Sequence, residues 1–183
     1  MEKLTIFWFR RDLRTHDNRG LYEALKGSNR VIPIFIYDTE ITDKLEKADP
    51  RLRFIENALG GINNAMKRNR CTTGIYRGTP KAIFKKLISE FHIENVIANH
   101  DYEPYALERD KDIGNLLKKE GIHFTTFKDQ VVFEKNEVVK DDGKPYVVYT
   151  PYSRKLMSKI ELEGIEHYPS EDHMHQLYNR QSL

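Results

Sequence analysis

The sequence predicts an α/β fold: a doubly wound parallel sheet of five strands with helices on both faces, plus a small C-terminal hairpin, a helix and a linker. Three observations carry this. Short apolar runs alternate with longer segments whose apolar residues recur at helical spacing, the signature of repeated strand–helix units. The first run, Leu4, Ile6, Phe7, Trp8 and Phe9, is almost unbroken, as required of a strand covered on both faces. Finally, 183 residues suit one such domain with a modest extension, since domains run to roughly 100–200 residues.

Each element follows from local chemistry. After the first strand comes the charged turn Arg10-Arg11-Asp12-Leu13-Arg14-Thr15-His16, and Asp17 and Asn18 are N-cap residues for a helix carrying Leu21, Tyr22, Ala24 and Leu25. Val31 to Tyr37 forms the second strand and ends in Asp38, although Pro33, which cannot donate to a ladder, argues against a central position. Thr39 to Asp49 is polar without periodicity and reads as a loop. Pro50 suits the first turn of a long helix with Ile55, Leu59, Ile62 and Met66 on one face, and Gly60-Gly61 in its middle predict a kink or a close packing contact.

Gly74 to Gly78 is the third strand. Thr79 caps a helix that begins at Pro80 and presents Ile83, Phe84, Leu87, Ile88 and Phe91 as an apolar stripe. Asn95 to His100 is the fourth strand, Asp101 to Tyr105 a loop, Ala106 to Glu120 a helix stopped by Gly121, and Ile122 to Phe127 the fifth strand. Beyond it, Asp141-Asp142-Gly143-Lys144 predicts a turn joining Val138-Val139 to Tyr146–Tyr149 as a hairpin. Thr150-Pro151 then starts a helix over Tyr152 to Leu162, and Gly164 to His175 reads as a linker. The expected division is a Rossmann-like core over residues 1–130, its hairpin and helix over 131–165, and a linker over 166–183.

Composition narrows the function. A formal charge of +2 from 30 basic and 28 acidic side chains leaves no strong nucleic-acid or membrane footprint. The single cysteine, Cys71, excludes an intramolecular disulfide framework and reads as a small packed residue in a reducing compartment. The start Met1-Glu2-Lys3-Leu4 lacks a signal-peptide layout and no run approaches a membrane span, so a cytoplasmic location is expected.

Right-handed crossovers place every strand-to-helix loop on one edge of the sheet. That edge gathers Arg10 to Arg14, Tyr37-Asp38, Arg51, Arg53 and Asp101 to Glu103 into a crevice suited to a planar, anionic or hydrogen-bonding small molecule. No glycine-rich phosphate loop is present. The arginines of the first turn read chiefly as ion-pairing residues that shape the corner with Asp12, and are left out of the binding set. Asp101 and Glu103 are close in sequence, but nothing else supports hydrolase chemistry. His173-Met174-His175 has spacing for a metal ion without a third ligand in view, and reads as solvated linker. Trp8, the sole tryptophan, reads as core.

Three separated motifs resemble the photolyase and cryptochrome family in its amino-terminal domain: Phe7-Trp8-Phe9-Arg10-Arg11-Asp12-Leu13-Arg14 with Asp17-Asn18; Asn99, Asp101, Glu103, Pro104 and Tyr105; and Gly143-Lys144-Pro145-Tyr146 leading into Tyr149-Thr150-Pro151-Tyr152. The resemblance covers residues 3 to 165, with Tyr168-Pro169-Ser170 similar to the start of the family's interdomain connector. It implies a parent deoxyribodipyrimidine photolyase whose helical, FAD-binding domain, which also holds damaged DNA, is absent here; the chain alone is then inactive in repair. For this domain it implies binding of an antenna chromophore, deazaflavin or FMN in preference to folate, because the family's folate Asn-Glu pair is Tyr105-Ala106 here. The matching cofactor positions are Phe35, Tyr37, Asp38, Arg51, Asp101, Glu103 and Arg109. The expected set has no catalytic residue and no metal ligand. A cryptochrome-type signalling module and a stand-alone nucleotide-binding protein remain as alternatives.

Overall fold

The computed structural model describes residues 2–46 and 48–179. Five strands, β1 (Leu4–Phe9), β2 (Arg30–Asp38), β3 (Gly74–Gly78), β4 (Ile93–Asn99) and β5 (His123–Phe127), form one sheet in the order β3-β2-β1-β4-β5, with every pairing parallel. The chain winds outward from β1 to β3, then returns to β4 and winds the other way. The reversal point lies between β1 and β4.

Side chains alternate across β1. Leu4, Ile6 and Trp8 pack with Ile32, Ile34 and Ile36 against Phe84 and Leu87 of α4 (Pro80–Glu90) and Ile113 and Leu117 of α5 (Pro104–Lys119). Phe7 and Phe9 face the other way, onto Leu21, Ala24 and Leu25 of α1 (Arg19–Lys26) and Leu59, Ile62 and Met66 of α3 (Pro50–Met66). Both faces are covered, as the unbroken apolar run requires. Cys71 is buried in the second cluster.

Pro33 lies in an interior strand after all. The ladder to β3 begins only at Ile34, so at Pro33 the β3 side has no partner awaiting a donor. The expected loop after β2 opens with a one-turn helix, α2 (Thr39–Thr42), capped by the Asp38 carboxylate at the amide of Glu40. The packing contact expected at Gly60-Gly61 is absent: a Cβ at either would meet nothing, and α3 runs through both on its exposed side.

Two expectations for the C-terminal segment are overturned. No strand forms on either side of the Asp141–Lys144 turn, because the turn closes only between Lys140 and Lys144 and the flanking valines find no ladder. Val147 and Val148 are exposed instead and lead straight into α6 (Tyr149–Glu163), whose first residues are Tyr149 and Thr150. Nor is the tail a solvated linker. Residues Ser170–Gln176 form a 3-10 helix that buries Met174 and, with Leu177, joins the core beneath α1. The amide of Tyr178 then donates to Val31 at the sheet edge. The stretch has no visible period because a 3-10 segment of this length anchors by one or two apolar residues.

Candidate functional site

The corner after β1 is organised by a buried polar cluster. Asp12, Asn18 and Asn99 are almost fully buried, and Asn99 Nδ2 donates to Asp12 Oδ2 at 2.6 Å and to Asn18 Oδ1 at 2.8 Å. Asn18 Oδ1 also caps α1 by accepting from Leu21, while the amide of Gly20 donates to Asn99 Oδ1 at 2.8 Å. A Cβ at residue 20 would come within 2.4 Å of that oxygen, so only glycine lets the helix start this close to β4. The cluster fills the reversal point between β1 and β4, where an open α/β sheet usually binds its ligand. A hollow of about 360 Å3 lies on one side of the cluster, lined by Arg14, Arg19, Lys128 and Tyr168 among others, and an aromatic-lined one is displaced one strand sideways.

It opens at the C-terminal ends of β1 and β2 as a cavity of about 270 Å3, lined by Trp8, Phe9, Arg10, Arg11, Phe35, Ile36, Tyr37, Asp38, Ile41, Thr42, Leu45, Arg51, Ile55, Asp101 and Arg109. A second, more open hollow of about 560 Å3 shares Tyr37, Thr42 and Leu45 with it. Phe35 and Tyr37 meet edge to face at 5.0 Å. Two guanidinium groups lie near the ring of Trp8, Arg10 at 5.3 Å and Arg109 at 4.9 Å from its centre.

The charged residues of the turn do form ion pairs, but their partners lie on α5 and the loops and not on Asp12. Arg10 Nη1 reaches both oxygens of Asp110 at 2.6 Å, with its side chain only 5% exposed. Arg11 stands at the mouth near Asp101 (3.8 Å) and Glu103 (3.6 Å), and Arg14 binds Asp129 at 2.9 Å. Arg109 binds Asp110 and approaches Asp101 at 3.7 Å. Among the described residues, two buried donors, Arg10 Nη2 and Arg19 Nε, have no acceptor, and of these Arg10 belongs to the cavity wall. Its Nη2 is enclosed, and a small shift of the side chain would be needed for it to meet a carbonyl or anionic oxygen of a ligand.

Of the seven positions singled out from sequence, Phe35, Tyr37, Asp38, Arg51, Asp101 and Arg109 converge on this cavity. Glu103 does not line it; it is the N-cap residue of α5, exposed and paired with Arg11. Arg51 is held away from a ligand by Asp49, which accepts from its Nε at 2.9 Å and its Nη2 at 2.6 Å. Asp38 is likewise engaged, accepting from Tyr105 Oη at 2.6 Å. Burial and then the bond to Asp38 push the Tyr105 phenol well above its ordinary range; burial and then Glu56 raise Tyr37. Both remain neutral hydroxyls near pH 7. The sequence reading missed Arg10 and Trp8 as cavity residues, although Arg10 follows β1 directly and lies at i+2 from Trp8.

The Asp49–Arg51 clamp gives a testable pH dependence. Hydrogen bonds from the Arg51 side chain, then its amide, lower the Asp49 carboxyl from 3.8 to about 2. A depressed carboxyl contributes stability above its unfolded value and loses it as the pH falls through the folded one. Amides of the first turn of α3 are therefore expected to keep their exchange protection at pH 5 and lose it between pH 4 and 2 relative to the rest of the helix. Hydrogen exchange followed by mass spectrometry reads this directly; uniform protection down to pH 2 would contradict it.

The family model for DNA photolyase matches residues 5–171. The chain belongs to the DNA photolyase family. A curated relative, the deoxyribodipyrimidine photo-lyase of Synechococcus sp., is 30% identical over 147 residues, which is 80% of this chain and 30% of that protein. Among solved structures, a bacterial class III photolyase from Agrobacterium tumefaciens superposes with a TM-score of 0.78 at 26% identity, over 93% of this chain and 35% of its own. An archaeal photolyase from Sulfolobus tokodaii superposes with a TM-score of 0.65 at 27% identity, over 75% of this chain and 32% of its own. Its structure holds two FAD molecules and is described as implying a novel light-harvesting cofactor. The chain spans about a third of the length of these DNA photolyase family members. Among the described residues, no helix is long and apolar enough to cross a membrane.

Proposed function

We propose that the cavity between the ends of β1 and β2 binds an antenna chromophore, a deazaflavin or FMN, in a protein whose further, helical domain carries FAD and acts on pyrimidine dimers in DNA. The observation that carries this reading is a small cavity walled by Trp8, Phe35 and Tyr37, with Arg10 also in its lining. About 270 Å3 is just below the range for sites that enclose a drug-sized ligand, which suits a flat ring system whose side chain extends outward. The hollow sharing Tyr37, Thr42 and Leu45 offers that route.

The bound chromophore would supply light absorption and pass excitation energy to the second flavin. This chain's residues supply the binding. Phe35 and Tyr37 pack on the ring, and Arg10 donates to a ring oxygen. Arg51 is able to leave Asp49 for a phosphate or ring oxygen at the rim, while Asp101 keeps Arg109 and Arg11 oriented. Folate is disfavoured because Tyr105 stands where the family's folate-binding asparagine would, and its hydroxyl is already committed to Asp38. No residue of α6 is buried, and Val148, Tyr149, Met157 and Leu162 lie exposed along or beside it, a surface consistent with packing against a partner domain. The domain by itself is expected to repair no dimers.

The test is a visible absorption and fluorescence spectrum after incubation with FMN, deazaflavin or methenyl folate and removal of free ligand by gel filtration. Retention of FMN or deazaflavin is expected, with loss in a Tyr37→Ala variant. Retention of folate alone, or of no chromophore, would overturn the reading.

A further inference from the structure

We propose a divalent transition-metal site, of the kind that takes Zn2+, formed by His16, His167 and Glu171 on the side of the α1 corner where the C-terminal segment docks. One ligand atom from each of these side chains lies within 4.8 Å of the other two. Among the described residues they make the one such group of histidine, cysteine or acidic side chains. The inference is independent of the antenna reading.

The three residues come from segments 150 positions apart in sequence, yet their backbones are tied together beside every ligand. The amide of Tyr168, next to His167, donates to Asp17 Oδ1 at 2.8 Å, and Asp17 adjoins His16. Fully buried Ser170, next to Glu171, donates through Oγ to the carbonyl of Thr15 at 2.9 Å and accepts from the amide of Asn18 at 3.2 Å. The ligand-bearing residues are therefore held by a scaffold, while their side chains reach outward from it.

Glu171 Oε1 meets His16 Nδ1 at 2.5 Å, and its other oxygen accepts from the amide of Asp17 at 3.4 Å, an outer contact that fixes the carboxylate. That pair by itself reads as a hydrogen bond. His167 is what the bond leaves unexplained: its ring sits 5.4 Å from that of His16, and among the described residues it has no hydrogen bond or ion pair. Two imidazoles in contact repel once both are protonated, whereas two neutral imidazoles and a carboxylate are a preferred donor set for zinc. A tetrahedral ion with bonds near 2.0–2.1 Å needs donors roughly 3.3 Å apart. The His16–Glu171 contact would open by under an ångström and His167 close in, motions within reach of exposed side chains. The fourth position would face water.

His173 and His175, the pair singled out by sequence spacing, are not members. His173 packs against Tyr22 at 5.3 Å. An ion in the His16 site would bind only while the segment is docked, so occupancy stabilises docking by linkage.

The test is calorimetric titration of the metal-stripped 183-residue chain with Zn2+, alongside His16→Ala, His167→Ala and His173→Ala. One site per chain is expected, and each of the first two substitutions, both at exposed positions, weakens it by at least about tenfold, while His173→Ala leaves it intact. Zinc is also expected to slow hydrogen exchange at residues 165–177, reversibly with a chelator. Absence of saturable binding, undiminished affinity in either His16→Ala or His167→Ala, or loss on His173→Ala would overturn the site. Circular dichroism of each variant separates lost ligation from lost fold.

Discussion

Replacing Asp12 by alanine is expected to destabilise the protein by about 3 kcal/mol, because two donors of the corner then lose an acceptor at roughly 1–3 kcal/mol each, softened by local relaxation. The donors are the amide of Arg10 and one N–H of Asn99 Nδ2, whereas Asn18 Nδ2 keeps the carbonyls of Asp12 and Arg14. For a chain of this size the loss corresponds to a fall in Tm of about 6–12 °C. Asp12→Asn retains one acceptor oxygen but turns an NH2 toward a donor at the other, and is expected to recover only part of the loss. Urea denaturation of the two variants provides the measurement. A loss below about 1 kcal/mol for Asp12→Ala would mean that water replaces the carboxylate, and that the cluster is not a closed unit.

Arg10→Met is expected to act on both stability and ligand binding. The side chain is 5% exposed and holds both carboxylate oxygens of Asp110 at 2.6 Å; Asp110 keeps its bond to Arg109, so removing Arg10 is expected to cost about 1.5–3 kcal/mol, the range for a lost charge-assisted hydrogen bond. The substitution also removes the unpartnered Nη2 of a residue in the cavity lining. A charge-assisted hydrogen bond contributes about 1.5–3 kcal/mol, so affinity for FMN or deazaflavin is expected to fall roughly 10- to 100-fold. Arg10→Lys keeps the charge without the fork, and should recover part of the stability and little of the binding. Fluorescence titration with FMN, paired with urea denaturation, distinguishes the two effects. Unchanged affinity in a folded Arg10→Met protein would remove Arg10 from the binding set.

The strands and most helices were legible because their signals are local. Leu4 to Phe9 announces a strand buried on both faces, and Asn18, Thr79, Pro50 and Gly121 mark helix ends through side-chain caps, a fixed φ, or, at Gly121, a positive φ of 72°. The hairpin failed for a physical reason: Asp141–Lys144 carries turn chemistry, but a turn makes a hairpin only when the flanking residues find a ladder, and Val147 and Val148 find none. The tail from Tyr168 to Tyr178 was read as linker because its anchoring rests on Ser170, Met174 and Leu177, too few and too irregularly spaced to show a period.

The candidate site was legible in part. Phe35, Tyr37, Asp38, Arg51, Asp101 and Arg109 were placed on the right edge by topology and by resemblance to the photolyase and cryptochrome family. Glu103 points instead to the rim and Arg10 lines the cavity, since which way a loop side chain turns depends on its ion-pair partner on another element. Asp110, a hundred residues from Arg10, carries no mark in the sequence of pairing with it.

The sequence by itself determined the strand–helix order, the caps and the family, because apolar period and capping chemistry act over a few residues. Only the tertiary structure decided where space remains. Asp12, Asn18 and Asn99 close the reversal point of the sheet and leave the opening beside β2, and the docked tail brings His167 and Glu171 to His16. Both outcomes depend on contacts between distant segments, whose free energy comes from burial and pairing in three dimensions, and so no local pattern records them.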